Sequence, residues 1–340
     1  MDVEGKKILV FGGTGSLGQA LVRRLAKANS LTLFSRDEAK HWTLRNSYEG
    51  LYQVDFALGD IRDKQRVFSV IQDLRPHIII LAAALKQVDT CERTPDESIK
   101  TNILGVNNVI ESTLTLKAEI SNLETVLLIS TDKACAPTNV YGMCKAISER
   151  TVTSASLLSE KIRFMAVRYG NVLESRGSII PLFQHQGESG KSITLTHRDM
   201  TRFIMTIDES IDLIQSTIQN GESGQVWLPK LKAMRIIDLA EIFAEKYATK
   251  VIETGIRPGE KIHEYLISEP ESLRVVNDDL YYKLQPSFRD IQGAQSTFSY
   301  SSQSGVLSRT DLKLYLEKLN ILEKNINEFV GKKIEEIRTN

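Results

Sequence analysis

A doubly wound α/β fold, with a parallel sheet and a smaller second lobe, is predicted by three observations. Short apolar runs alternate with helical stretches, one such run leads straight into a glycine-rich turn, and 340 residues exceed one ordinary domain. The strands expected are Ile8–Phe11, Leu31–Phe34, Val54–Leu58, Ile78–Ala82, Val126–Ser130 and Phe164–Arg168, lying parallel in one sheet covered on both faces. Helical periodicity marks Gln19–Ala28 and returns at Thr206–Gln219, and Gln225–Pro229 reads as a late strand. The expected division is a main domain over residues 1–172 with 201–248 returning to it, and a lobe built from 173–200 and 249–284. Residues 285–340 remain as a tail: a loop rich in serine, glutamine and glycine over Ser287–Ser304, then mixed-charge helical periodicity from Leu312 to Ile337.

The first strand runs directly into a glycine loop. Gly12-Gly13-Thr14-Gly15-Ser16-Leu17-Gly18 lets the backbone turn tightly and approach a pyrophosphate at a helix amino terminus, the Rossmann arrangement for a dinucleotide. After the second strand, an NAD site places a carboxylate against the ribose 2′-hydroxyl. This chain has Ser35-Arg36 there, with Lys40 a third contact, and a hydroxyl with cationic groups suits a 2′-phosphate; Asp37 arrives late and is expected to face solvent. The cofactor read from these residues is NADP.

The fifth strand carries the chemistry. It delivers Thr131, Asp132 and Lys133 to the carboxyl edge of the sheet, where open α/β sheets bind ligands. Tyr141 and Lys145 then fall four apart on one helix face. A free phenol has a pKa near ~10, and an ammonium beside it favours the phenolate, a base able to take an alcohol proton. An acid, an amine and a phenol together indicate an enzyme.

Composition narrows the partners. Forty-three basic residues balance 43 acidic ones, so nothing favours nucleic acid or an anionic membrane. The longest apolar run, Ile78–Leu85, is too short to cross a bilayer, and the start, Met1-Asp2-Val3-Glu4, has no signal-peptide character. Cys91, Cys135 and Cys144 have no metal-like spacing and read as free thiols in a reducing compartment; His197 and His263 suit no zinc site. No metal is expected, and the location expected is cytoplasmic.

The glycine pattern, Asp60-Ile61, Ala82-Ala83-Ala84-Leu85-Lys86, Thr101-Asn102 and Tyr141 with Lys145 together resemble an extended short-chain dehydrogenase/reductase. Ser130–Lys145, Arg168–Val172, Ser175–Ser178, Asp199–Phe203 and Arg257–Lys261 resemble the soluble, inverting UDP-N-acetylglucosamine 4,6-dehydratases more specifically. The resemblance covers roughly residues 6 to 283, and several motifs in the right order carry it.

The resemblance implies a reaction with no net oxidation: Tyr141 deprotonates the sugar C4 hydroxyl, Lys133 takes the C5 proton, Asp132 protonates the departing C6 hydroxyl, Thr131 holds O4, and Lys145 holds the ribose and biases Tyr141. It implies cofactor contacts from Asp60, Ile61, Ala82, Ala83 and Lys86, the last also touching substrate. It implies sugar-nucleotide contacts from Asn171, Thr196, Arg202, Met234, Arg257 and Glu260 in the smaller lobe, and a homo-oligomer. Retaining dTDP-glucose relatives have glutamate where this chain has Lys133, and lysine accompanies inversion at C5. Membrane-bound retaining relatives carry methionine in place of Tyr141. Some inverting relatives with that methionine also epimerise their product, so a further 5-epimerase activity is left open. The alternatives are a UDP-hexose 4-epimerase, which needs no elimination acid and base, and a non-catalytic NADP sensor, which needs neither Tyr141 nor Lys145.

Overall fold

The computed structural model describes residues 3–173, 178–289 and 296–323. Of the sequence expectations, Ser175–Gly177 of one motif, Met1-Asp2 and the tail periodicity beyond residue 323 lie outside the described residues. The chain forms two compact units. The first runs to Tyr169 and adds Ile211–Lys230 and Ser268–Phe298; the second comprises Gly170–Ser210, Leu231–Ile267 and the chain from Ser299 on.

The first unit holds a nine-stranded sheet. Six parallel strands, β1 (Lys7–Phe11), β2 (Ser30–Ser35), β3 (Val54–Leu58), β4 (Ile78–Leu81), β5 (Thr125–Ile129) and β6 (Arg163–Val167), take the order β3-β2-β1-β4-β5-β6. That is the doubly wound order, with its switch point between β1 and β4. The apolar runs Ile78–Leu81 and Thr125–Ile129 are buried throughout, as central parallel strands covered on both faces must be. Val226–Pro229 extends the sheet parallel to β6, and Tyr281–Leu284 and Val275–Asn277 add two antiparallel strands beyond it.

Local chemistry sets the helix ends. Asp37, Asp63 and Asn139 cap the helices Glu38–Tyr48, Lys64–Leu74 and Val140–Ala155, their side chains accepting from Lys40, Arg66 and Gly142 backbone N–H groups. The helix Ser16–Leu25 begins a turn earlier than its apolar pattern suggests, because Gly15 caps it directly after the glycine loop. Ile99–Leu104, which carries no sequence signal of it, is a π-helical turn, a form frequent at functional sites.

In the second unit, Thr201–Met205 pairs parallel with Asn171–Val172 and antiparallel with Lys232–Arg235. A buried cluster including Phe183, Ile193, Leu195, Ile204, Leu239 and Phe243 forms its core, and Leu312 and Leu316 complete it.

These pairings correct the expected division. Of residues 201–248, only Ile211–Lys230 joins the main unit, because Thr201–Met205 and Lys232–Arg235 hydrogen-bond to each other in a separate sheet. Residues 268–284 leave the lobe, because Tyr281–Leu284 hydrogen-bonds to Val226–Pro229 in the main sheet. The tail is not separate either: Tyr300–Ser301 pairs with Tyr265–Ile267, and helix Arg309–Lys318 buries Leu312 and Leu316 in the second unit's core.

Candidate active site

The loop after β1 is shaped by contact as well as by turn. Gly12 has φ +82, and a methyl there would lie 2.6 Å from the Ala83 nitrogen, so the loop passes directly against the Ala82-Ala83 segment just past β4. Helix Ser16–Leu25 receives no side-chain cap from Gly15 and has no acid in its first turn. Its amino terminus therefore presents backbone donors and a positive dipole end without a competing carboxylate, a fit for a dinucleotide pyrophosphate. Ala82 and Ala83 bring only methyl groups to this edge, and Leu85 is pinned by Asn102 through reciprocal bonds of 2.9 Å. Lys86, just beyond, is exposed.

At the end of β2, Thr14 Oγ1 donates to Ser35 Oγ at 3.2 Å, and Ser35 Oγ lies 2.7 Å from Nε2 of His41. Arg36 is exposed, 3.7 Å from the Asp60 carboxylate. Asp60 takes a closer pair of bonds from Arg62, at 3.0 and 2.7 Å, which together with Arg36 hold its carboxyl below the ordinary range against burial, the largest influence and opposite in sign. Ile61 is buried. Two expectations change here. Asp37 does not simply face solvent: it caps a helix and pairs with Lys40 at 2.6 Å, so Lys40 is already matched to a carboxylate. His41, which sequence reasoning passes over, is buried against Ser35.

The catalytic turn lies just past β5. Thr131 caps a short 3₁₀ turn, Asp132–Ala134, and its hydroxyl donates to Asp132 Oδ1 at 3.0 Å. Lys133 Nζ donates to the same oxygen at 3.1 Å, with Asp132 only 1% exposed and Lys133 21%. The turn packs on helix Val140–Ala155 at Gly142, where a methyl would lie 2.2 Å from the Lys133 carbonyl oxygen. This close approach sets Tyr141 beside the turn, where the phenol is near the Thr131 hydroxyl and feels the charges of both Lys133 and Asp132.

Tyr141 and Lys145 share helix Val140–Ala155, and the structure adds Lys133 as a second cation on the phenol's side of the turn. Burial pushes the Tyr141 phenol up to about 12, and the cation that opposes this is Lys133. Lys145 is buried and donates to the Ile129 carbonyl at 2.6 Å; burial brings its ammonium down to about 8, against the opposing pull of Glu149.

Behind the turn lies a buried ion network without an obvious sequence signature. Arg168, just past β6, forks onto Glu149 at 3.0 and 2.6 Å and onto Glu271 at 3.0 and 2.8 Å. Glu271 also accepts from the Cys135 thiol at 3.2 Å, and Cys135 ends the catalytic turn. Burial opposes ionisation of Glu271, but Arg168 and the surrounding donors win and bring its carboxyl down to about 2. Cys135 and Cys144 are buried packing residues, as expected of them.

The residues expected to hold a sugar nucleotide belong to the second unit, except Lys86. Asn171 lies on the edge strand Asn171–Val172. Thr196 donates to the Met200 sulfur at 3.1 Å. Arg257 is exposed and pairs with Glu260 at 2.6 Å, so those two meet each other. Two expectations fail. Met234 is fully buried in the core cluster, so its side chain packs rather than binds. The Arg202 guanidinium donates to the carbonyls of Thr201, Ile262 and Lys261 at 2.7, 3.0 and 3.0 Å, which commits it to backbone rather than to a diphosphate or to Asp199 or Asp208.

A family model described as "Polysaccharide biosynthesis protein" matches residues 8–286. A Campylobacter jejuni protein named UDP-N-acetylglucosamine 4,6-dehydratase (inverting) is 34% identical over 339 residues, covering 94% of this chain and 98% of that protein. A Rickettsia prowazekii protein named UDP-glucose 4-epimerase is 39% identical over 305 residues, covering 85% and 86%. The solved structure of Pen from Bacillus thuringiensis is 30% identical, with a TM-score of 0.87 over 94% of this chain and 99% of that one. With its glycine loop, strand order and tyrosine–lysine helix in place, the chain belongs to the polysaccharide biosynthesis protein family, on an extended short-chain dehydrogenase/reductase fold.

Proposed function

We propose that this protein is an inverting UDP-N-acetylglucosamine 4,6-dehydratase that uses NADP, works in the cytoplasm as a homo-oligomer, and feeds nucleotide-sugar biosynthesis. The observation that carries the reading is the Lys133–Asp132 contact of 3.1 Å beside Tyr141. When bound, the dinucleotide serves as hydride acceptor and then returns the hydride, so the reaction is a dehydration without net oxidation.

The chain's own groups supply the proton steps. Tyr141 accepts the C4 hydroxyl proton. Elimination across C5 and C6 needs a neutral amine and a protonated acid, and transfer of one proton across the Lys133–Asp132 contact converts the ion pair into both. Lys133 then takes the C5 proton, and Asp132 gives its proton to the C6 hydroxyl, which leaves as water. C5 is then reprotonated from solvent on the face opposite Lys133, which gives inversion. Lys133 and Asp132 are then back at their starting ion pair, and Tyr141 is one proton ahead. Thr131, which donates to Asp132 and lies beside Tyr141, is the path by which that proton is released.

A second reading has support from the Rickettsia relatives: a UDP-hexose 4-epimerase would use Tyr141 and the cofactor but leave the Asp132–Lys133 pair without work. Incubation with UDP-N-acetylglucosamine in deuterium oxide, monitored by proton NMR, separates the two. The proposal expects a 4-keto-6-deoxy sugar with L-configuration and deuterium at C5. Clean conversion to the C4 epimer would replace it with the second reading, and an unchanged sugar would defeat both.

A further inference from the structure

The hydroxyl of Ser35 has one proton to give, and two neighbours constrain it. Thr14 Oγ1 donates to it at 3.2 Å, and His41 Nε2 stands 2.7 Å away. His41 is buried, its ring tilted against Phe56 with centroids 5.3 Å apart, so its position is fixed by packing. When Nε2 carries no proton, Ser35 donates to it and presents only lone pairs outward, which suits the 2′-hydroxyl of an unphosphorylated ribose. When Nε2 carries a proton, His41 donates to Ser35, and the serine proton turns outward to a phosphate oxygen.

We propose that His41 is a positioning residue for the cofactor's 2′ group: by setting whether Ser35 donates or accepts, it couples binding of a 2′-phosphate, but not of a 2′-hydroxyl, to uptake of a proton. This rests on the dinucleotide reading of the site and deepens it. The charged groups near the imidazole are few. Burial holds it neutral, Asp37 at the helix cap opposes that, and Arg45 one turn on reinforces it. Lys40 pairs with Asp37, and Arg36 with Asp60, so neither adds a free charge. A phosphate dianion brought to Ser35 is the opposite charge that reverses the balance and charges the ring.

The test is calorimetric binding of NADP⁺ and NAD⁺ at about pH 7.5, where a phosphate monoester is already a dianion, in buffers of different ionisation enthalpy. The wild-type protein is expected to take up on the order of half a proton with NADP⁺ and none with NAD⁺. His41→Phe keeps a ring against Phe56 and is expected to abolish uptake and cut the NADP⁺/NAD⁺ affinity ratio about fivefold. His41→Gln can still donate to Ser35 but cannot titrate, so it should also show no uptake while keeping more of the ratio. Equal uptake with both dinucleotides, no uptake in the wild type, or uptake persisting in both variants overturns the proposal while leaving the site reading intact. Failure of both dinucleotides to bind overturns the site reading as well.

Discussion

Gly142 and Lys133 touch where helix and turn meet: a methyl added at Gly142 would stand 2.2 Å from the Lys133 carbonyl oxygen. The contact is between backbones, so no side-chain rotation relieves it. It fixes the distance between the turn that carries Asp132 and Lys133 and the helix that carries Tyr141.

Gly142→Ala therefore moves the turn rather than the cofactor loop. Misplacing reacting groups by about 1 Å costs on the order of a hundredfold in rate. The expected result is a kcat lowered about a hundredfold with dinucleotide affinity within twofold of wild type, read by steady-state kinetics beside fluorescence titration. A variant with near-normal kcat would show that the turn relaxes freely and that the contact is mere packing.

Thr131 donates to Asp132 and lies beside Tyr141, which places it on the path by which the Tyr141 proton leaves. If that path resets the site after each dehydration, Thr131→Val should complete a first turnover and then stall. General acid–base groups contribute about 10²–10⁴-fold, so steady-state turnover should fall by at least a hundredfold more than the single-turnover rate. Thr131→Ser keeps the hydroxyl and should restore cycling. Equal losses in both regimes would assign Thr131 to substrate positioning instead.

Glu271 ties the catalytic turn to the ion network through Cys135, and it also carries a pH signature. Its folded pKa, about 2, lies below the ordinary glutamate value of 4.5, so the native state favours the ionised form. The resulting stability is fully present above about pH 4.5 and is lost as pH falls toward 2, on the order of 3 kcal/mol in all. Thermal melts across that window should show the loss in wild type and a flatter profile in Glu271→Gln. That variant should also be less stable at neutral pH by about 3 kcal/mol, because a buried guanidinium loses one of its two carboxylates. A wild-type melting temperature unchanged from pH 6 to pH 3 would contradict the assignment.

Strand identity in the main sheet was legible because buried parallel strands are nearly continuous apolar runs, and Ile78–Leu81 and Val126–Ile129 are of that kind. The groups of the proposed site could be picked out together because they cluster in sequence just after β5. The features that the sequence concealed depend on partners distant along the chain. Tyr281–Leu284 shows no clear alternation, and only its pairing with Val226–Pro229 and Val275–Asn277 places it in the main sheet. Arg202 and Arg257 look equivalent as cations, yet one is enclosed by carbonyls about sixty residues away and the other is exposed. The three members of the Glu149–Arg168–Glu271 network lie on three separate segments, so no local motif announces it.

The two arginines give the sharpest separation of binding from structure. Arg202 spends its guanidinium on the Thr201, Ile262 and Lys261 carbonyls and lies 3.9 Å from the buried Glu264 carboxylate, so Arg202→Ala removes three hydrogen bonds, each contributing about 0.5–1.5 kcal/mol, together with a cation beside a buried acid. Its melting temperature should drop by several degrees, whatever happens to kinetics. Arg257 is exposed and pairs with Glu260, and an ion pair open to solvent contributes about 0–1 kcal/mol. Arg257→Ala should therefore melt within about a degree of wild type, and, if the lobe binds a nucleoside diphosphate, should raise KM about tenfold with kcat nearly unchanged, the pattern of lost uniform binding. A KM effect in Arg202→Ala without any loss of stability would return that residue to the substrate site.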